Sequence, residues 1–257
     1  MTLNDTLAGL IVGTLVGLTG MGGASLMAPI LIFLFHYKAR IAIGSDLAYG
    51  GIARSFGAWQ HRRAGNVNID LVRRFALGSV PASLMGVWLV HSIDLSAGKR
   101  ADQILTRVLG VVLILVALVM IARSIPKLEH RMREWSAARR PSSPATPIVI
   151  GAVGGFLVGL TSVGSGTLFG VALLLVFGLG VREMVGTDIY HAAILTAVAA
   201  AGHIYAQDVN YTLVAGLLTG AIPGILLGGY LSTRMPERLL RPTLAAVMLV
   251  SGVRSVF

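Results

Sequence analysis

The chain has 257 residues, 55% of them hydrophobic and 12% charged, with a mean hydropathy of +0.79. This composition excludes a single soluble domain, because a core of that size could not bury so much apolar surface. The formal net charge of +10 does not indicate a nucleic-acid partner, because most Lys and Arg residues lie in short connections between apolar stretches. Those stretches are about 20 residues long, enough to cross roughly 30 Å of hydrocarbon, and they predict an all-α polytopic membrane protein.

Several kinds of chemistry are excluded by residues that the sequence lacks. The chain contains no cysteine, so disulfides, thiolate catalysis and Cys-based metal sites are ruled out. Six scattered histidines without metal-site spacing, and no P-loop sequence, predict neither a metal centre nor a cofactor nor a nucleotide-driven motor. The first five residues lack the basic region of a signal peptide, so the first apolar stretch is predicted to belong to the folded protein.

The chain contains an internal duplication. Laying it over itself with a shift of 142 (155 minus 13, for example) gives a gapless match from about Gly9 to Gly86. Chance apolar similarity does not align rare polar residues and prolines in one register. The identical pairs include Gly13/Gly155, Gly22/Gly164, Gly44/Gly186, Asp46/Asp188, His61/His203, Asn68/Asn210, Gly78/Gly220 and Pro81/Pro223.

In chain order, each half begins with a long opening stretch, at 6–36 and at 148–180, and continues with three apolar spans. The spans are predicted at 42–60, 71–92 and 103–125, and at 185–206, 212–231 and 239–257. We therefore divide the chain into a first membrane repeat at 1–125, a linker at 126–147 and a second membrane repeat at 148–257. The linker is predicted to be cytoplasmic because it carries Lys127, Arg131, Arg133, Arg139 and Arg140.

Each opening stretch is predicted to be broken. As one helix, about 30 residues would run about 45 Å, which is too long for a bilayer without strong tilt. Small residues lie in the middle of both copies, in the sequences Gly20-Met21-Gly22-Gly23 and Ser162-Val163-Gly164-Ser165-Gly166. They favour two half-helices that meet at membrane depth, where protein or a water-filled cavity receives the freed backbone groups.

The path of the opening stretch decides the topology. If it enters and leaves on one side, each half crosses three times and the repeats are inverted. If it crosses, each half crosses four times and the repeats are parallel. With the linker inside, inverted repeats place 14 Lys and Arg inside and 6 outside, whereas parallel repeats place 11 inside and 9 outside, with Arg54 within a span in both. The positive-inside rule therefore favours two inverted repeats, each a re-entrant helix pair plus three transmembrane helices.

The glycine breaks are candidate anion sites. The helix that begins after each break exposes unpaired N–H groups and the positive end of its dipole. Two such ends that meet near the midplane would bind an anion, as in other inverted-repeat transporters. The alternative is that these glycines only allow helices to pack closely. The residues assigned to substrate binding here are Gly22, Gly23, Ser25, Gly164, Ser165, Gly166 and Thr167.

The first full span of each half carries a polar stripe at helical spacing. Arg54 is the most informative residue, because a guanidinium within a span faces a cavity or a partner and its donors suit an oxyanion. A structural ion pair with Asp46 is the alternative. Coupling or gating is considered for Asp46, Asp188, His191 and Thr196, although helix capping is the simpler explanation of the two aspartates. His61 and His203 lie near span ends and need no function there.

The glycine-rich opening, its second copy and the paired sequences Gly44-Ser45-Asp46-Leu47 and Gly186-Thr187-Asp188-Ile189 resemble the TauE/SafE family of sulfite and organosulfonate exporters. The resemblance covers essentially the whole chain. It implies export of sulfite, sulfoacetate or a related sulfur oxyanion across a bacterial cytoplasmic (inner) membrane, through a site that includes Arg54. The second copy departs from the pattern, with Val171 where Pro29 stands, so the two half-sites are unequal.

Two functions remain open. The first is a secondary anion transporter, whose partners are a small anion and the lipid bilayer and whose small-residue helix faces would also allow a homodimer. The second is a membrane-embedded enzyme or assembly factor that uses its cavity for something other than transport. The sequence contains no evident nucleophile–base–acid set, so we expect no enzymatic activity.

Overall fold

The computed structural model describes residues 3–19, 27–125, 131, 134, 143–232 and 237–256. Regular structure in these residues is entirely helical, which confirms the predicted all-α fold class. The predicted linker, 126–147, falls mostly outside the described residues. The division of the chain into repeats and linker therefore stays a prediction.

Within the described residues, each half contributes five α-helices in the same order. The first half comprises α1 (Leu3–Thr19), α2 (Met27–Phe33), α3 (Ala39–Arg63), α4 (Ile69–Ala97) and α5 (Ala101–Ser124), with a 3₁₀ turn at Gly98–Arg100. The second half comprises α6 (Thr146–Thr161), α7 (Thr167–Leu175), α8 (Val181–Tyr205), α9 (Tyr211–Ser232) and α10 (Glu237–Val256). By length and composition, α4, α5, α8 and α9 can cross a membrane, so the chain is polytopic.

The predicted break of the second opening stretch is confirmed. Helix α6 ends at Thr161, and Ser162 has the left-handed φ of 63°. Gly164 follows with φ 101°, which a side chain adopts only under strain. In the first copy, α1 ends at Thr19 and α2 begins at Met27, whereas the residues between them lie outside the described residues.

The first opening stretch folds back on itself. The hydroxyl of Tyr37, which follows α2, donates a hydrogen bond of 2.7 Å to Oδ1 of Asp5, in the first turn of α1. Burial, together with this bond and the charge of Asp5, raises the pKa of Tyr37 to about 12, so the phenol remains a donor at neutral pH. The two ends of the α1–α2 segment therefore lie at the same end of the molecule.

Contacts between the halves are reciprocal. The backbone N–H of Asn68, which caps α4, donates to the hydroxyl of Thr187 on α8 at 3.0 Å. The backbone N–H of Asn210, before α9, donates to the hydroxyl of Ser45 on α3, also at 3.0 Å. Asn210 is Asn68 plus 142, and Thr187 is Ser45 plus 142. Contacts exchanged in this way relate the two repeats by an approximate two-fold axis.

The equivalent helices α3 and α8 run antiparallel. Near the start of α3, Gly44 faces the backbone of Asp208, which follows the end of α8. Gly51 faces Ala197, and near the end of α3, Gly57 faces Ile189. As the residue number rises along α3 it falls along α8.

Glycines bring two further helix pairs into backbone contact. In α6, Gly155 faces the backbone of Ser79 on α4, and in α1 the equivalent Gly13 faces Ala221 on α9. From α4, Gly78 approaches the backbone of α6 so closely that a methyl group would overlap the carbonyl oxygen of Ile148. Small residues allow such backbone approach between helices in lipid.

Replacing Gly78 with alanine is expected to destabilise the protein by about 1–3 kcal/mol, because the added methyl group forces α4 and α6 apart. The measurement is the apparent Tm of the purified protein in detergent. Gly180→Ala is the matched control: nothing lies within 4 Å of the Cβ position there, so its effect should stay within about 0.5 kcal/mol. Equal Tm values for the two variants would contradict the assigned helix packing.

Candidate functional site

Two carboxylates are buried at equivalent positions of the two halves. Asp46 on α3 and Asp188 on α8 are each 3% exposed. Each lies seven residues after the first residue of its helix, about 10 Å along the helix axis. The capping explanation of these residues is therefore wrong: the N-cap positions are Lys38 and Gly180, and both aspartates lie within helices.

The carboxylate of Asp46 joins three parts of the chain. The hydroxyl of Ser162, in the break between α6 and α7, donates to Oδ2 of Asp46 at 2.6 Å. The backbone N–H of Ala28, in the first turn of α2, also donates to this carboxylate. Asp46 thus ties α3 to α2 and to the break between α6 and α7.

Asp188 occupies the equivalent place but has fewer partners. One of its oxygens, Oδ2, lies 3.7 Å from the Cβ position of Gly170 on α7, and Gly170 is the repeat equivalent of Ala28 (170 minus 142). Its other oxygen, Oδ1, is buried and has no hydrogen-bond partner among the described residues. At the position equivalent to Ser162 the first repeat has Gly20, which carries no hydroxyl.

The guanidinium of Arg54 belongs to the same charge cluster. Its side chain folds back along α3, so that Nη1 is 2.5 Å from the Cβ position of Gly50. Only a glycine at position 50 leaves that space open. Arg54 interacts electrostatically with both Asp46 and Asp188, and it remains partly exposed. The cluster therefore combines one positive charge with two carboxylates that can carry a negative charge.

His191 lies in an aromatic pocket beside this cluster. Its Nε2 is 2.8 Å from the hydroxyl of Ser79 on α4, and its ring centroid is 4.5 Å from Phe169 and 5.5 Å from Phe75. Its Nδ1 is buried without a partner in the described part of the chain. Thr196, the repeat equivalent of Arg54, donates its hydroxyl to the carbonyl of Ala192 in its own helix at 2.7 Å, so this donor is already engaged.

The predicted break residues divide between described and undescribed parts of the chain. Gly164, Ser165 and Gly166 form the break of the second repeat, and Thr167 begins α7. Gly22, Gly23 and Ser25 lie outside the described residues. Ser162 lies in the predicted break but was not among the predicted site residues. The sequence did contain a signal for it: directly after the matched threonines Thr19 and Thr161, the second repeat has a polar residue, Ser162, where the first has Gly20.

The two ends of the molecule are not equivalent. At the end that contains the loop 206–210, which we call the distal end, Arg40 forms ion pairs of 3.0 Å with Asp94 and with the buried Asp208. His203 is fully buried there, 3.2 Å from the carbonyl oxygen of Gly159, and is not an interfacial residue. At the other end, which we call the linker end, Asn66 stands where the distal end has Asp208 (208 minus 142).

Helix packing is also closer at the distal end than at the linker end. At the distal end, Gly202 of α8 packs against Leu84 and Val87 of α4, with methyl carbons 3.2 Å from its Cβ position. At the linker end the equivalent of Leu84, Leu226 of α9, is 71% exposed against 42% for Leu84, and the equivalent of Gly202, Gln60 of α3, is exposed. The second half of α3, which carries Arg54, is thus less enclosed than the matching part of α8.

Replacing Ser162 with alanine is expected to destabilise the protein by about 1–3 kcal/mol, because the buried carboxylate of Asp46 loses a hydrogen-bond donor. The apparent Tm in detergent measures the effect. Ser55→Ala is the matched control, since the exposed Ser55 donates its hydrogen bond to Gly51 in its own helix. A Ser162→Ala protein as stable as the Ser55→Ala protein would show that the bond contributes nothing.

Comparison with known proteins agrees with this architecture. The family model described as "Sulfite exporter TauE/SafE" matches residues 6–255. YjnA of Bacillus subtilis (strain 168), a probable membrane transporter protein, is 41% identical over 258 residues that cover 100% of both chains. No solved structure matches the chain.

More distant relatives carry the same description. YdhB of Bacillus subtilis (strain 168) is 24% identical over 96% of this chain and 97% of its own. A probable membrane transporter protein of Methanocaldococcus jannaschii is 26% identical over 96% of this chain and 92% of its own. The chain therefore belongs to the sulfite exporter TauE/SafE family and is a membrane transporter.

Proposed function

We propose that this protein is a secondary transporter that exports a small sulfur-containing anion, such as sulfite, sulfoacetate or a related organosulfonate, across the bacterial cytoplasmic membrane. The observation that carries the proposal is Arg54, a guanidinium within α3 that is partly exposed and interacts electrostatically with one carboxylate of each half. An arginine enclosed in a membrane protein is retained for a partner or a ligand, and its planar donors suit a sulfur oxyanion. The backbone groups of the two glycine breaks, Gly22-Gly23 and Gly164-Ser165-Gly166, are the further donors of the proposed site.

The proposed topology is a pair of inverted repeats with three crossings each. The antiparallel course of α3 and α8 supports inversion, because equivalent helices of parallel repeats would cross the membrane in the same direction. The hydrogen bond between Tyr37 and Asp5 supports a re-entrant α1–α2 segment. With the basic linker in the cytoplasm, the linker end faces inward and the distal end outward.

Alternating access follows from the unequal ends. The ion pairs of Arg40 and the contact of Gly202 with α4 close the distal end. The exposed Gln60 and Leu226 leave the matching contact open at the linker end. The proposed cycle exchanges these two arrangements about the site at Arg54, so that the anion enters from the cytoplasm and leaves on the other side.

Arg54→Ala is expected to weaken anion binding by roughly tenfold or more, because charge-assisted hydrogen bonds of about 1.5–3 kcal/mol are lost. The measurement is counterflow of labelled sulfite and labelled sulfoacetate in proteoliposomes, with binding measured in detergent. Arg107→Ala removes an exposed arginine from α5 and is the matched control. Gly50→Ala keeps the positive charge but displaces the guanidinium, so its anion affinity should lie between those of Arg54→Ala and Arg107→Ala.

Counterflow also separates the competing functions. An enzyme would alter the labelled anion, and an assembly factor would move none of it. Unchanged affinity in Arg54→Ala would remove this residue from the site. Absence of counterflow for every sulfur anion tested in the wild-type protein would overturn the proposed function.

Single cysteines at positions 64 and 207 test the inverted topology, since the chain has no native cysteine. Ala64 and Gln207 are exposed and lie in equivalent turns, at the linker end and the distal end (64 plus 142 is 206, adjacent to 207). An impermeant thiol reagent applied to intact cells should label Gln207→Cys but not Ala64→Cys, with the reverse in inverted vesicles. Labelling of both from the same side would contradict inversion.

A further inference from the structure

We propose that Asp188 is the binding site of a coupling proton, taken up together with the anion. The inference rests on the proposed anion site at Arg54 and goes beyond it by assigning a second ligand and a stoichiometry of one proton per anion. In the step itself, a proton from water adds to the carboxylate of Asp188 when the anion binds. It leaves for water when the anion is released, so both charge and atoms balance.

The first argument comes from the unequal partners of the two aspartates. Asp46 accepts hydrogen bonds from Ser162 and from the backbone of Ala28, which stabilise it as a carboxylate. Asp188 lacks the equivalent hydroxyl, because Gly20 stands at the position of Ser162, and its Oδ1 is buried without a partner in the described part of the chain. An ionised oxygen without a donor is poorly stabilised in a dry interior, whereas a protonated carboxyl carries no charge there.

The second argument is the charge of the cluster. The positive charge of Arg54 balances one carboxylate, and we assign that carboxylate to Asp46 because two hydrogen-bond donors reach it. If Asp188 is also ionised, the cluster has a net charge of −1 before any anion arrives. An incoming anion would then meet net repulsion in surroundings of low dielectric constant. A proton on Asp188 removes that repulsion, so anion binding and proton binding favour each other, as linkage requires.

Few other groups near Asp188 in the described part of the chain could bind the coupling proton. From α3 the titratable groups of this region are Asp46, Tyr49 and Arg54, and Arg54 is the charged group that acts on Asp188. Neither α6 nor α7 contains a titratable residue, and α4 has none between residues 75 and 90. On α8 itself, His191 is held against Ser79. A metal ion would need several oxygen ligands, and the contacts of Asp188 with Gly170 and Arg54 do not supply them.

The test measures proton uptake on anion binding by the purified full chain in detergent. The probe is sulfoacetate, because its sulfonate and carboxylate both stay ionised between pH 6 and 8, so the anion itself carries no proton. In weak buffer with a pH-sensitive dye, wild-type protein should take up close to one proton per sulfoacetate bound at the upper end of this range. Binding should tighten as pH falls, by up to roughly tenfold per pH unit, the limit for one linked proton.

Asp188→Asn should bind sulfoacetate with an affinity that no longer depends on pH and without proton uptake. Asp70→Asn is the matched control: it removes an exposed aspartate at the start of α4, which belongs neither to the charge cluster nor to the contacts that close the distal end. Its proton uptake should equal that of the wild type. Proton uptake that persists in Asp188→Asn would overturn the assignment.

The wild-type measurement decides the case if Asp188→Asn does not fold. Wild-type protein that shows counterflow of sulfoacetate but neither proton uptake nor pH dependence overturns the proton site and leaves the transport function in place. Wild-type protein that shows no counterflow of sulfoacetate or sulfite overturns the transport function, and the proton site with it.

Discussion

A helix can break inside a bilayer only where other protein groups receive the polar groups that the break sets free, because the hydrocarbon supplies no water. Here the hydroxyl of Ser162, at the break after α6, donates to the carboxylate of Asp46 on α3. This one bond fastens the re-entrant segment of the second repeat to the first full span of the first repeat. Since α3 also lies along α8, the break is held at the contact between the two halves.

Close backbone contact is the second condition of this fold. Glycines at equivalent positions bring α4 against α6 and α1 against α9, and each added methyl group would meet a backbone atom of the partner helix. Between apolar helices in lipid, attraction comes from such packing rather than from exclusion of water. The abundance of glycine therefore has a structural role in the helix pairs, separate from its role at the breaks.

The proposed site lies where the two halves of this duplicated chain differ. Arg54 lies between the contacts that Gly51 and Gly57 make with α8, close to the approximate two-fold axis, and its equivalent is Thr196. A second arginine at that point would place two like charges close together in a dry interior. In the same way Ser162 is replaced by Gly20, and this difference leaves the two aspartates with unequal partners. A symmetric scaffold thereby holds a single, asymmetric charge cluster.

Much of the fold was predictable from the sequence, because a bilayer imposes its thickness on any chain that crosses it. A helix was expected at 42–60 and is present at Ala39–Arg63, although α3 is not among the described helices that can cross a membrane by length and composition. The break at Ser162–Gly166 lies where small residues predicted it. The aspartates were misjudged as caps, because a short polar residue after Gly-Ser or Gly-Thr looks the same at a helix start and inside a helix. The helices begin seven residues earlier, at Ala39 and Val181.

The sequence alone determined that most of the chain lies in lipid, that it is duplicated, and which residue types are available for a polar centre. Tertiary structure decided which of those residues meet: Asp46 finds its partner 116 residues away, and the guanidinium of Arg54 turns back over Gly50. Apolar periodicity reports which residues face lipid, and it does so locally. Pairing of polar groups between helices depends on how the helices cross, which no local pattern encodes.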